Sequence, residues 1–316
     1  CIRDRDKTYT LRFTTVASPT QPMYKGMEKF AEVADKLSGG KIQVKLFHSG
    51  QLANQKTSIL GVMKGTLEMS IDASPSWFAD LATYPEMGVL EVAYVYRDID
   101  HMNRVKLGPI GQEYYETLAK KSGLRVLDVW YLGTRQLNFT EKVGVVKKPE
   151  ELKGIKLRMP NVEAWLDVGR ALGANPTPLG FGEVYMALKT GTIDGQDNPL
   201  PTDSATKFYE VTKYIVLTDH MIGFVNPFIN EKLWQEMPEN YRVYIKKALE
   251  VARNYSNYLV LDQEASLLGR FQKEFGMEVV IPKKAAFMEH AKKFYSQEKF
   301  DKRWGKGMYS KIQNVK

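Results

Sequence analysis

A chain of 316 residues is long enough for about two domains. With 43% hydrophobic and 11% aromatic residues, each half can bury a core, which excludes wholesale disorder. Lys and Arg number 45 against 37 Asp and Glu, leaving +8, a surplus that favours anionic partners.

The basic residues are dispersed among acidic ones, and only the tail from Lys299 (Lys302, Arg303, Lys306, Lys311, Lys316) is locally basic. Neither an aromatic–basic RNA consensus nor zinc-finger spacing occurs, so nucleic acid is not an expected partner. Cys1 is the single cysteine, so no internal disulfide can form. No apolar run approaches the ~18 residues of a membrane span. A cysteine followed by the polar "IRDRDK" is how a bacterial lipoprotein begins once its signal peptide is removed. The alternative is that the sequence merely starts there.

"YTLRFTT" (9–15) reads as a strand, and "PMYKGMEKFAEVADKLSGG" as a helix stopped by Ser38-Gly39-Gly40. "KIQVKLF" alternates as a strand, Asn54 can cap a helix ending near Lys64-Gly65, and "TLEMSID" returns as a strand. A helical stretch from about Asp98 to Lys121 is interrupted by Gly108-Pro109, and "LRVLDVW" is the next strand. This β-α-β-α rhythm predicts an α/β fold with mainly parallel sheets.

The rhythm restarts after "YLGTRQLNFT". In "GIKLRMPN" (154–161), Ile155, Leu157 and Met159 alternate with Lys156 and Arg158 until Pro160 stops the pattern. A helix is expected from Asn161, acting as N-cap, to Leu172. "KYIVLTDH" and "GFVNPFIN" look like two further strands. From Glu239 to Phe275 runs an unusually long helical pattern, which at 1.5 Å per residue would reach roughly 55 Å. It is either one helix serving two domains or two helices broken between Asn257 and Asp262.

Catalytic signatures are missing. His48, His101, His220 and His290 are far apart, and no nucleophile elbow, P-loop or complete dinucleotide fingerprint occurs. Asp197, Asn198 and Glu183 form a polar group that reads more simply as caps of short helices. What remains is a set of donors at strand ends and in loops: Arg135, Arg158, Asn161 and Asn198. The guanidinium fork binds a carboxylate bidentately, and the carboxyl ends of parallel strands are where open α/β sheets take ligands. Arg158 is then either on a solvated strand face or a carboxylate clamp. Phe181 either closes over an apolar ligand face or packs in the core.

"GTRQLNFT", "ELKGIKLRMPN", "LGANPTPLGFGEVYMALKTGTIDGQDNPL" and "KFYEVTKYIVLTDH" strongly resemble the extracytoplasmic substrate receptors of TRAP transporters, the DctP type. The resemblance runs over nearly the whole chain. It implies a two-domain periplasmic-binding-protein (Venus-flytrap) architecture: 7–132 plus 224–262 as one domain, 133–223 plus 263–316 as the other. A ligand cleft would lie between them, with a long helix spanning both. It implies that Arg158 forms the salt bridge to a ligand carboxylate, supported by Arg135 and Asn198. Asn161 and Phe181 occupy positions resembling ligand contacts of the sialic-acid branch.

The chain departs from that branch at "IDASPSWFADLATYPE", where Asp72, Ser74, Ser76 and Trp77 replace an expected Glu/Arg pair. Trp77 or Phe78 would stack on a ring or pack in the core. The first domain's contacts, around Val16–Ser18, Asn54 and Asp72–Trp77, would choose the acid. The resemblance implies a small hydroxy or sugar acid as ligand, membrane permease subunits as partners, no cofactor, a periplasmic location and a monomeric receptor. A hydrolase or lyase acting on such an acid, and a lipid-binding surface protein, are the competing readings.

Overall fold

A computed structural model of the chain describes residues 7–316. The lipid-anchor expectation for Cys1 lies outside these residues. The strands in chain order are β1 (Tyr9–Thr14), β2 (Ile42–Phe47), β3 (Met69–Ala73), β4 (Leu124–Val126) and β5 (Trp130–Phe139). They continue with β6 (Lys156–Met159), β7 (Asn175–Pro178), β8 (Gly195–Pro199), β9 (Tyr214–Asn230) and β10 (Glu278–Val280).

The chain forms two compact units. Unit 1 holds the described residues as far as Ser74, with Lys106–Tyr131 and Phe224–Val260; unit 2 holds Pro75–Val105, Leu132–Gly223 and Leu261–Lys316. The segment 75–105, expected in the first domain, belongs to unit 2. It folds as a helix over Pro75–Leu81, a 3-10 turn over Pro85–Glu91 and a helix over Ile99–Lys106. Three of the passages from one unit to the other fall inside β5, β9 and the helix Glu239–Lys273. That helix is continuous, so the break considered between Asn257 and Asp262 does not occur.

In unit 1, β1 pairs parallel with β2 and β3, while β3 and β4 pair antiparallel with β9. The helix Pro22–Ser38 opens with proline at its first position and ends on Gly39 in the left-handed region, φ 60°, as its terminal glycines predict. It buries Met23, Met27 and Phe30, the last packing edge-to-face on Phe13 at 5.7 Å. At Gly26 an added Cβ would meet Trp130 at 2.6 Å and Ser256 at 2.8 Å. Hydrogen there is what permits the close approach.

In unit 2, β8 lies between antiparallel β5 and parallel β6, and β7 flanks β6. The sheets are therefore mixed rather than mainly parallel, because β5 runs against β8, and β9 against β3 and β4. β7, "NPTP", was not legible as a strand: two prolines in four residues argue against one. It is tolerated at the edge, where missing N–H donors leave no ladder bond unmade. "KYIVLTDH" and "GFVNPFIN" are halves of the single strand β9, which continues through Asp219 at φ 43°.

The unit 2 core contains one cluster of Val184, Ala187, Leu188, Ile193 and Phe208, and another of Leu200, Ile215, Leu267, Phe271 and Met277. No helix among the described residues is long and apolar enough to cross a membrane.

Candidate functional site

β6 is an interior strand of unit 2, flanked by β7 and β8, and Arg158 on it is buried rather than solvated. Arg158 stands opposite Gln196 of β8 and Thr177 of β7, and is only 2% exposed. The exposed-face reading is excluded for it, while Lys156, at the start of the strand, is exposed as that reading would require. Its Nε donates to the Leu179 carbonyl at 2.9 Å. Among the described residues its Nη groups make no hydrogen bond, and it has no ion pair. Burial pulls the guanidinium pKa down to about 10; Asp197 and Glu183 act to raise it, Arg135 to lower it.

Arg135 reaches the same strand from the other side. Its Nε donates to Asp197 Oδ2 at 2.7 Å, and its Nη2 to the Asp197 carbonyl at 2.7 Å and Asn198 Oδ1 at 3.2 Å. Trp165 covers it, with the guanidinium carbon 4.6 Å from the ring centroid. Nη1 has no hydrogen-bond partner among the described residues. The expected support from Arg135 is thus only partly available, since Nε and Nη2 are committed to Asp197 and Asn198. Asn198 is committed too: its Oδ1 accepts from Arg135 and its Nδ2 donates to Gln196 Oε1 at 2.5 Å.

Asp197 is not a helix cap. It lies in β8, fully buried, and also meets His220 Nε2 at 3.1 Å. The other ring nitrogen of His220 is 2.8 Å from Thr218 Oγ1, so one proton, on Nε2, satisfies both contacts. Burial alone would raise the Asp197 pKa, but Arg135 and His220 hold it well below the usual carboxylate range. Asp197 Oδ1 is buried with no hydrogen-bond partner, as is the Trp165 indole N–H. Deeper in the network, Asp203 accepts from Gln196 Nε2 at 2.9 Å and has no cation paired with it. Burial pushes its pKa well above the usual carboxylate range, against the Gln196 hydrogen bond.

Sequence reasoning did not find Asp197, His220 and Trp165 as site residues. Asp197 was in view, but nothing in the sequence shows that β5 and β8 pair so as to bring it to Arg135. The glycine of "DGQDNP" has a physical reason as well. A Cβ on Gly195 would stand 2.4 Å from Phe139 and 2.6 Å from the Asn138 carbonyl, its neighbours on β5. Among the described residues no His, Cys, Asp and Glu group could hold a metal.

Residues 13–302 match the family model described as "Bacterial extracellular solute-binding protein, family 7", DctP. The chain belongs to this family. As a DctP-type TRAP solute-binding protein it is a receptor rather than an enzyme, and its family is extracytoplasmic. It is 32% identical over 304 residues to the sialic acid-binding periplasmic protein SiaP of Vibrio cholerae, covering 96% of this chain and 92% of that one. A TRAP periplasmic solute-binding protein of Roseobacter denitrificans with bound 3-deoxy-D-manno-oct-2-ulosonic acid superposes with TM-score 0.89 at 34% identity, covering 98% and 99%. A second from that organism, with bound L-galactonate, superposes with TM-score 0.87 at 29% identity, covering 97% and 99%.

The other residues singled out in this solute-binding protein are placed more loosely. Asn161 is exposed and is not an N-cap: the helix is Glu163–Ala171 and its cap is Val162. The Val162 amide donates to the Pro160 carbonyl at 2.9 Å, and this turn moves the helix start past Asn161. Phe181 is half-buried on the first unit 2 cluster, edge-to-face with Phe208 at 6.3 Å. Trp77 and Phe78 are both buried in the helix Pro75–Leu81.

In unit 1, Asn54 caps the helix Gln55–Lys64 by accepting from the Thr57 amide at 2.9 Å. Asp72 is buried at the end of β3, where Oδ1 accepts from Thr15 Oγ1 at 2.6 Å and Oδ2 from the Val16 amide at 2.9 Å. Burial pushes its pKa up to about 7, against those hydrogen bonds. Ser74, two residues on, is buried as well.

Proposed function

We propose that this TRAP receptor captures a small organic acid, a hydroxy or sugar acid, by a bidentate salt bridge from Arg158, and delivers it to membrane permease subunits. The observation that carries this is the state of Arg158. A guanidinium that is 2% exposed, has no carboxylate partner and spends one N–H on a carbonyl is an incomplete ion pair. Leaving a buried charge uncompensated costs several kcal/mol, and an incoming carboxylate removes that cost. The two free Nη groups have the fork geometry a carboxylate accepts.

Affinity in the micromolar range needs about 8 kcal/mol. A charge-assisted hydrogen bond contributes roughly 1.5–3 kcal/mol net, so Arg158 requires helpers. Arg135 Nη1 and the Trp165 N–H supply unused donors in the same network. The ligands named for the relatives, sialic acid, 3-deoxy-D-manno-oct-2-ulosonic acid and L-galactonate, are hydroxylated carboxylic acids, which supports the same class here. A thermal-shift screen of organic acids followed by calorimetry tests the reading. Stoichiometric, unaltered binding of such an acid is expected; an acid that is turned over, or a screen without any shift, contradicts it.

A further inference from the structure

We propose that the ligand carries a single carboxylate, so that an aldonate is accepted where the corresponding aldarate is rejected. This rests on Arg158 being the clamp and adds a statement about total charge. Arg135 and Asp197 cancel each other at 2.7 Å, which leaves Arg158 as the one uncompensated cation of the network. No other group of the network offers a free cation. Both ring nitrogens of His220 are engaged, one by Thr218 Oγ1 and the other by Asp197 Oδ2. Lys142 is exposed and sits on Asp194. Asp203 is bonded to an amide, with burial favouring its neutral form, and Glu183, whose carboxylate accepts from the Gly180 amide, adds negative charge that acts on Arg158.

A first carboxylate neutralises Arg158; a second would be desolvated without a partner. Asp197 Oδ1, buried and lacking a donor, favours a neutral hydroxyl beside it and opposes a second anion.

The test is calorimetry on ligand-stripped protein with pairs that differ only by CH2OH against carboxylate: gluconate and glucarate, galactonate and galactarate, erythronate and tartrate, 4-hydroxybutyrate and succinate. In the pair containing the tightest ligand, the monoacid is expected to bind on the order of 30-fold tighter or more, the penalty for a buried unpaired charge. Equal or tighter binding of the diacid overturns the inference. Arg158→Gln separates the two claims. Lost binding with a diacid preference in the parent keeps the clamp and discards the charge count, whereas retained binding discards the clamp. Silence from every acid overturns both. Asp197→Asn, which releases the charge of Arg135, is expected to narrow the gap within the pair at least fivefold. An unchanged gap contradicts the cancellation on which the count depends.

Discussion

Arg135 and Asp197 form an ion pair inside unit 2, Nε to Oδ2 at 2.7 Å, with side chains 7% and 0% exposed. The acid thus holds in place a guanidinium that would otherwise be a second free cation beside Arg158. Removing one member of a buried pair leaves the other charge unpaired, which costs about 3–5 kcal/mol. Asp197→Ala is therefore expected to lose stability of that order in urea unfolding. A loss below about 1 kcal/mol would mean that the pair is not held as described.

Arg158→Lys keeps the charge and loses the fork. Nε of Arg158 is already used on Leu179, and only an arginine has two further nitrogens to offer. Affinity for the acid identified by screening is expected to fall tenfold or more by calorimetry, one strong hydrogen bond's worth. An unchanged Kd removes Arg158 from the clamp.

Asp72 gives the protein a pH-dependent stability of opposite sign to an ordinary salt-bridged acid. Its folded pKa, pushed up to about 7 by burial, lies above the ~3.9 of an unfolded chain, so the folded state binds the extra proton between these values. Stability from this group is full below about pH 4 and declines as pH rises toward 7, by up to about 4 kcal/mol. Asn in its place keeps a neutral acceptor for Thr15 and Val16. Thermal unfolding of Asp72→Asn is expected to lose the part of the pH 5–8 decline that the parent shows. Parallel curves for the two proteins would refute the assignment.

Gly195→Ala tests the packing of β8 on β5. The new methyl group would stand 2.4 Å from Phe139, and overpacking of this kind costs typically 1–3 kcal/mol. A reduction of that size in unfolding free energy is expected, and a neutral substitution would show that the strand yields.

Local pattern carried much of the fold into the sequence. Alternation placed β1, β2, β3 and β6, and Gly39 marked a helix end that the structure shares. The long stripe from Glu239 is one helix to Lys273. Features that depend on register were hidden. The prolines of β7 are permitted only because that strand is an edge, and the Arg135–Asp197 pair exists only because β5 opposes β8 with Arg135 facing Pro199. Arg158 was legible as a basic residue on a strand, but its burial, unlike the exposure of Lys156 on the same strand, depends on tertiary packing. The stretch 75–97 lacked periodicity, because a short helix and a 3-10 turn offer too few repeats to read.

A crystal structure with the acid bound tests the clamp most directly. Both Nη groups of Arg158 are expected to donate to the two oxygens of one ligand carboxylate at about 2.7–2.9 Å, with Nε still on Leu179. A ligand carboxylate seated elsewhere, with Arg158 turned to a protein acid or to water, would contradict the account.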